Sequence, residues 1–481
     1  MPGISGPDNE QMSAAEIQRD AALVVLTERN RLHMELSGKE AKLYLMTFGC
    51  QMNLADAEMT YGLFAMAGYR YTEVLEEADL IIVHTCGVRA GAESRAMGRI
   101  AQLKPLKEMN PGLLIVVCGC MTQQPEVAAE IARVHRHVNL ITGTHNQGSI
   151  LQLLVQALQQ GRPLVAISQE ETAAKENLPR LHLGGASAWV SIMYGCDNFC
   201  SYCIVPYLRG RERSRQLEVI LEEVRSLVAS GVIEVTLLGQ NVNSYGKGLT
   251  PAASFPQLLA RVAEIPGLQR IRFVTSHPRD ISREMIRVMA EHSNICRHLH
   301  LPVQSGSTSV LGMMNRGYTR EDYITLIDDL RRTMPDLALS TDIIVAFPGE
   351  RDSDFLDTIE LVRRVRFDSA FTFLYSPRPG TRAAELSDDC PQEIKQRRME
   401  ELISIQAGIS LEKNQELIGS VYEVLVESTS KTGADYVMGR GMNHKIVNFS
   451  GSLDLVDTLQ RVRIVSAASH HLGGELVTGG F

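Results

Sequence analysis

No excess of basic charge runs through this 481-residue chain, whose formal net charge is −8. Bulk electrostatics therefore exclude a protein that coats a polyanion, and contact with nucleic acid must come from a local patch. Long apolar runs are missing as well. Ala21 to Leu26 is apolar but far too short to span a bilayer. Met1 to Asp20 lacks the basic start and apolar core of a secretory signal. The expectation is a cytoplasmic protein without a membrane segment, its cysteines reduced and free to act as ligands. Cysteine itself is scarce, with nine in the whole chain.

Three of those nine lie in Gly195-Cys196-Asp197-Asn198-Phe199-Cys200-Ser201-Tyr202-Cys203, spaced C-x3-C-x2-C. Thiolates are soft ligands, and clustered cysteines in a reducing compartment point to metal rather than disulfides. A structural zinc site wants a fourth protein ligand, and no Cys or His follows at a suitable short spacing. Three thiolates on an iron–sulfur cubane leave one iron open, so the iron–sulfur reading is favoured over zinc. Simple core packing would leave Asp197, Asn198 and Ser201 unexplained.

The length predicts two to four domains. Residues 1–40 are read as an N-terminal extension with a helix-compatible run from Ser13 to Leu36. From 41 to about 160 the pattern is β-α-β-α-β, which implies an open parallel α/β sheet. Strands are expected at Lys42 to Thr47, Asp79 to His84 and Leu113 to Val117. Asn53 is read as the N-cap of the first helix, and a second helix should cover Glu93 to Glu108. Each strand delivers a cysteine just past its carboxyl end, the edge where open parallel sheets bind ligands. Cys50, Cys86 and Cys120, about 35 residues apart in sequence, would thus share one rim as a second three-cysteine site. Cys118 competes for the third place, but strand alternation turns it into packing and favours Cys120.

Residues 185–413 repeat a βα pattern six times, too few for a closed eight-stranded barrel, so a partial (βα)6 barrel is expected. Its strand ends carry Gln240-Asn241-Val242-Asn243, Thr275-Ser276-His277-Pro278, Pro302-Val303-Gln304-Ser305-Gly306-Ser307 and Phe347-Pro348-Gly349-Glu350. Such converging polar groups suit a nucleoside or amino-acid cofactor. His298 and His300 read as packed, hydrogen-bonded histidines, and Cys296 and Cys390 as structural. Arg209 to Arg215 is the most basic short run, placed to meet phosphate or carboxylate. Residues 414–481 switch to short alternating strands, ending in one at Leu476 to Thr478, and imply a small β-barrel of OB-like character. Its five basic residues face seven acidic ones, so RNA binding there would rely on Arg440, His444 and Lys445.

The C-x3-C-x2-C loop after the first strand of a partial barrel resembles the radical S-adenosylmethionine superfamily. Thr47-Phe48-Gly49-Cys50-Gln51-Met52-Asn53, the string from Cys196 to Arg215, Leu301-Pro-Val-Gln-Ser-Gly-Ser307 and Tyr375-Ser-Pro-Arg-Pro-Gly-Thr381 resemble the MiaB-type tRNA methylthiotransferases. The terminal module is similar to a TRAM RNA-binding domain. Ala346 departs from the pattern, where glycine is expected. The resemblance implies two [4Fe-4S] clusters. One, on Cys196, Cys200 and Cys203, would bind S-adenosylmethionine and generate a 5′-deoxyadenosyl radical. The radical would abstract hydrogen from C2 of N6-isopentenyladenosine 37 in the tRNA anticodon stem–loop. An auxiliary cluster on Cys50, Cys86 and Cys120 would supply sulfur, methylated by a second S-adenosylmethionine. Tyr202, Gln240, Asn241, Gln304 and Arg215 are the candidate S-adenosylmethionine contacts. A flavodoxin- or ferredoxin-type electron donor and a monomeric state are also expected. The competing readings are a methylthiotransferase for threonylcarbamoyladenosine or a ribosomal-protein aspartate, and an iron–sulfur electron carrier or RNA-binding sensor.

Overall fold

Lys42–Thr47, Leu80–Thr85 and Leu114–Gly119 are strands in the middle of a six-stranded, wholly parallel sheet. The computed structural model describes residues 14–168, 178–430, 433 and 435–477, in two compact units, Met1–Leu183 and Gly184–Phe481. In the first unit, short strands Arg70–Tyr71, Leu140–Thr142 and Leu164–Ala166 extend the sheet at its edges. The central strands read as unbroken apolar runs because helices cover both faces. Leu80, Ile82, Leu114 and Val116 pack towards one layer; Ile81, Val83, Ile115 and Val117 pack towards the other. Each such side chain contributes about 1.5–3 kcal/mol by burial.

The helix Ala14–Ser37 belongs to this unit. It seats Ala22 and Leu26 in the core, and its Asn30 amide donates to the Ala67 carbonyl at 2.8 Å. Two expectations need correction. The helix expected over Glu93 to Glu108 is two, Ala90–Gln102 and Lys104–Met109, because Pro105 has no N–H to continue the first ladder. Asn53 is not an N-cap: helix Gln51–Met66 starts after Cys50, and Asn53 is fully buried.

The second unit opens with six parallel strands. Ser187–Ser191, Glu234–Leu238 and Arg270–Phe273 form one sheet, and His298–His300, Ala338–Val345 and Ser369–Leu374 a second. An Ile271–Ile295 bridge links them into one open, partial barrel. Helices Leu217–Ala229, Phe255–Ala263, Arg283–Glu291, Arg320–Thr333 and Asp352–Val365 cover the outside over Val235, Leu237, Ile271, Leu339 and Ile343. Helix Gln392–Gln415 leads into a closed five-stranded barrel. Its last strand is Leu472–Leu476 rather than one beginning at Leu476, since Gly473 and Gly474 disguise it; Thr478 lies outside the described residues.

The concave face of the partial barrel is polar and is closed at one end by the terminal barrel. Arg270 donates to the Arg440 and Glu423 carbonyls at 2.9 and 2.8 Å, and Arg272 to the Gly441 carbonyl at 2.8 Å. His444 stacks on His298 with ring centroids 4.6 Å apart, and Lys445 pairs with Asp368 at 2.9 Å. Arg440 pairs with Glu427. The three basic residues expected to meet RNA are therefore engaged inside this unit. His298 and His300 are packed as expected, each 2.9 Å from the Ser340 hydroxyl.

Candidate metal centres

In the first unit, Cys50, Cys86 and Cys120 follow the carboxyl ends of three adjacent strands. Register brings the loops together. The Phe48 N–H donates to the His84 carbonyl at 2.9 Å, and the Cys120 N–H to the Thr85 carbonyl at 3.0 Å. Gly49, at φ +108°, lies so close to Cys86 that a Cβ there would stand 2.4 Å from the Cys86 Cβ and 2.7 Å from its Sγ. Asn53 spans all three loops. Its Nδ2 donates to the Phe48 and Thr85 carbonyls at 2.6 and 2.9 Å, and its Oδ1 is 4.0 Å from the Cys120 sulfur. Cys118 instead turns into the core with Leu43, Leu63 and Leu80, its sulfur 3.5 Å from His84 Nδ1.

In the second unit, the loop of Cys196, Cys200 and Cys203 is fastened from two sides. Gly195 at φ +72° lets the backbone pass the Gly210 and Arg211 carbonyls, which a Cβ would strike at 2.6 and 2.0 Å. The Cys196 N–H donates to the Gly210 carbonyl at 3.2 Å, and Arg211 pairs with Asp197 at 2.7 Å. The basic run thus clamps the loop. On the other side, Ser201 N–H and Oγ donate to the Met314 and Met313 carbonyls at 3.0 and 2.8 Å. Asn315 donates to the Asn198 and Phe199 carbonyls at 3.3 and 3.0 Å. Burial pushes the Cys196 thiol up to about 11 and, reinforced by neighbouring Cys200, Cys203 up to about 12. Thiols crowded in this way, with Cys196 and Cys203 resisting ionisation in isolation, are a donor set suited to a positively charged metal core.

Among the described residues, no three His, Cys, Asp or Glu side chains close on a single ion. Zinc, at about 2.3 Å from each thiolate, needs that closeness. A cubane takes its thiolates at three separate irons, and three cysteines are the donor set that each site offers.

The barrel rim beside this loop is built to receive something polar. Asn241 Oδ1, Asn243 Oδ1, Ser276 Oγ and His277 Nε2 are buried without a protein partner. Each such atom costs about 1–3 kcal/mol until satisfied. Burial, with Arg316 and Arg279 nearby, holds the His277 imidazole down to about 2, hence neutral. Thr275, Gln304 and Ala346 follow successive strands at φ +68°, +75° and +58°. Ala346 adopts the left-handed backbone for which glycine was expected. Tyr202 packs against the small core cluster of Val310, Met314, Phe347 and Ala383. Gln240 is half-buried at the rim, and Gln304 is held by backbone bonds to Asp342 and Ile344. Arg215 does not join this group, because its guanidinium is engaged by Glu223 and the Ser191 carbonyl, both at 2.6 Å.

Sequence reasoning missed two features. Phe371 and Phe373 share the concave face with His300 and Asp342 and remain exposed. Arg316 is buried with Nη1 3.3 Å from the Cys200 sulfur. The alternating pattern of Ser369–Leu374 could have suggested the first; no local pattern marks the second.

Two family descriptions match the chain: Radical SAM superfamily over residues 190–362, and Uncharacterized protein family UPF0004 over residues 42–143. The chain is 47% identical to a tRNA-2-methylthio-N(6)-dimethylallyladenosine synthase of Acetivibrio thermocellus, across 99% of both chains. It is 48% identical to a protein of the same name from Caldicellulosiruptor saccharolyticus, across 92% of this chain and 93% of that one. Among solved structures, a radical S-adenosylmethionine methyltransferase, TsrM, from Kitasatospora setae with cobalamin and a [4Fe-4S] cluster bound has a similar fold. That match has a TM-score of 0.52 and 14% identity, across 72% of this chain and 74% of that one.

Proposed function

This chain belongs to the family of tRNA-2-methylthio-N(6)-dimethylallyladenosine synthases, and we propose that its two cysteine triads divide the methylthiolation of tRNA between them. The chain is a radical S-adenosylmethionine enzyme that methylthiolates N6-isopentenyladenosine in tRNA. The observation that carries the division is the pair of three-cysteine sites, one in each unit, the first at the carboxyl ends of three parallel strands and the second within the loop that follows Ser187–Ser191. When bound, two [4Fe-4S] clusters and S-adenosylmethionine supply the radical, sulfur and methyl chemistry, and the protein supplies position and a dry, oxygen-poor site.

Cys196, Cys200 and Cys203 hold the cluster that works on S-adenosylmethionine. Tyr202, Gln240, Asn241 and Gln304, with Asn243, Ser276 and His277, surround that cofactor. The unpartnered buried atoms of Asn241, Asn243, Ser276 and His277 support this reading. Cys50, Cys86 and Cys120 hold the auxiliary cluster, with Asn53 keeping their loops in register. Adenosine 37 lies in a loop, where a base can be splayed out without melting a helix. Phe371 and Phe373 offer it a stacking surface on the concave face. A flavodoxin- or ferredoxin-type donor delivers electrons, and the enzyme works as a cytoplasmic monomer. Among the described residues no helix is long and apolar enough to cross a membrane.

The test compares Cys86→Ala with Cys200→Ala, both reconstituted anaerobically and given isopentenylated anticodon stem–loop. Cys86→Ala should still release 5′-deoxyadenosine but form no methylthio nucleoside, whereas Cys200→Ala should do neither. Methylthio product from Cys86→Ala would overturn the division of labour.

A further inference from the structure

We propose that Arg316 is the internal counter-ion of the cluster on Cys196, Cys200 and Cys203 and raises its reduction potential; this rests on the iron–sulfur reading of those cysteines. Arg316 is 4% exposed. Its Nη1 donates to the Cys200 sulfur at 3.3 Å, its Nη2 to the Pro302 carbonyl at 2.8 Å, and its Nε to the Tyr318 hydroxyl at 3.2 Å. No carboxylate is among these partners. A guanidinium stays protonated, and leaving it buried without an anion is strongly destabilising. Three other buried arginines of this unit follow that rule: Arg398 meets Glu350, Arg272 meets Glu234 and Arg270 meets Glu423, each at 2.9 Å. Arg316 has a thiol in the carboxylate's place.

The missing anion is therefore the thiolate-ligated cluster. An oxidised cubane with three thiolates is net negative, and one added electron makes it more so. A fixed positive charge with an N–H on a ligand sulfur favours the more negative state, and hydrogen bonds to sulfur and net charge are the levers that set such potentials. The geometry also holds Arg316 still. The 313–315 segment just before it is bonded to residues 198, 199 and 201 of the cluster loop. Tyr318 supports the guanidinium 5.4 Å from its ring centroid. Arg316 acts through Cys200 and is a positioning residue.

The test is an EPR-monitored redox titration in a Cys50→Ala/Cys86→Ala/Cys120→Ala background, where one cluster reports. Arg316→Gln should lower the midpoint enough to cut the reduced-to-oxidised ratio at a fixed poise at least tenfold, a fall of at least 59 mV for one electron. Arg316→Lys should recover part of that fall, and the spectral change on adding S-adenosylmethionine should persist in both. A midpoint is read from the loaded molecules alone and does not change with how many are loaded, so incomplete loading does not spoil the comparison. An Arg316→Gln midpoint equal to the parent's would overturn the role of Arg316. A parent that takes up no iron would instead overturn the cluster reading.

Discussion

Replacing Gly49 with alanine should remove one cluster and spare the other. At φ +108°, a residue with a Cβ costs about 1–3 kcal/mol in backbone strain. The larger effect is on Cys86. The new methyl would sit 2.4 Å from the Cys86 Cβ, whereas carbon–carbon contacts settle at about 3.5–4.0 Å. Cys86 must retreat by about 1 Å, twice the tolerance of about 0.5 Å within which a site keeps its geometry. It is 2% exposed and follows a fully buried strand, so little room exists to absorb the shift. Anaerobic reconstitution should therefore yield about four irons per chain in place of about eight. 5′-Deoxyadenosine should still form, and the methylthio nucleoside should vanish. The strain alone should lower the melting temperature by about 2–4 °C per kcal/mol in a unit of this size. A Gly49→Ala protein with full iron, full sulfide and normal product would refute the placement of Cys86 beside Cys50.

Phe371→Ala combined with Phe373→Ala should weaken binding of the isopentenylated stem–loop by the about 1–3 kcal/mol that base–aromatic stacking supplies, measured as Kd, with 5′-deoxyadenosine formation unchanged. Acid should destabilise the apo-protein early. Burial, then the charges nearby, hold His444 down to about 3 and His298 well below its ordinary value. As pH falls below about 6.5 the unfolded chain takes up protons that these folded imidazoles refuse. Stability is thus lost by up to about 1.4 kcal/mol per histidine for each pH unit. Thermal unfolding at pH 7.5, 6.5 and 5.5 should show that slope, and His444→Gln should reduce it; an unchanged slope would count against a buried, neutral His444.

Several elements were legible because their signals are local. Glu234–Leu238, Phe255–Ala263 and Arg320–Thr333 lie where periodicity placed them. The βα order alone placed Cys50, Cys86 and Cys120 at one sheet edge, since helical crossovers force the strands parallel. Signals that depend on distant partners misled. Asn53 has the composition of an N-cap, yet its amide is drawn inward by the Phe48 and Thr85 carbonyls. Arg215 sits in a basic run, but Glu223 claims it. Arg440, His444 and Lys445 looked free for RNA and are engaged within the second unit.

The sequence by itself determined where the two cysteine triads lie along the chain and the chemistry they point to. Cysteine spacing within a loop, and cysteines at the ends of apolar runs, are short-range properties written along the chain. Only the tertiary structure decided what surrounds those cysteines. Arg316 reaches Cys200 across 116 residues, and Asn53 faces Cys120 across 67. Burial makes these contacts matter: away from water a guanidinium or an amide must find partners within the folded chain.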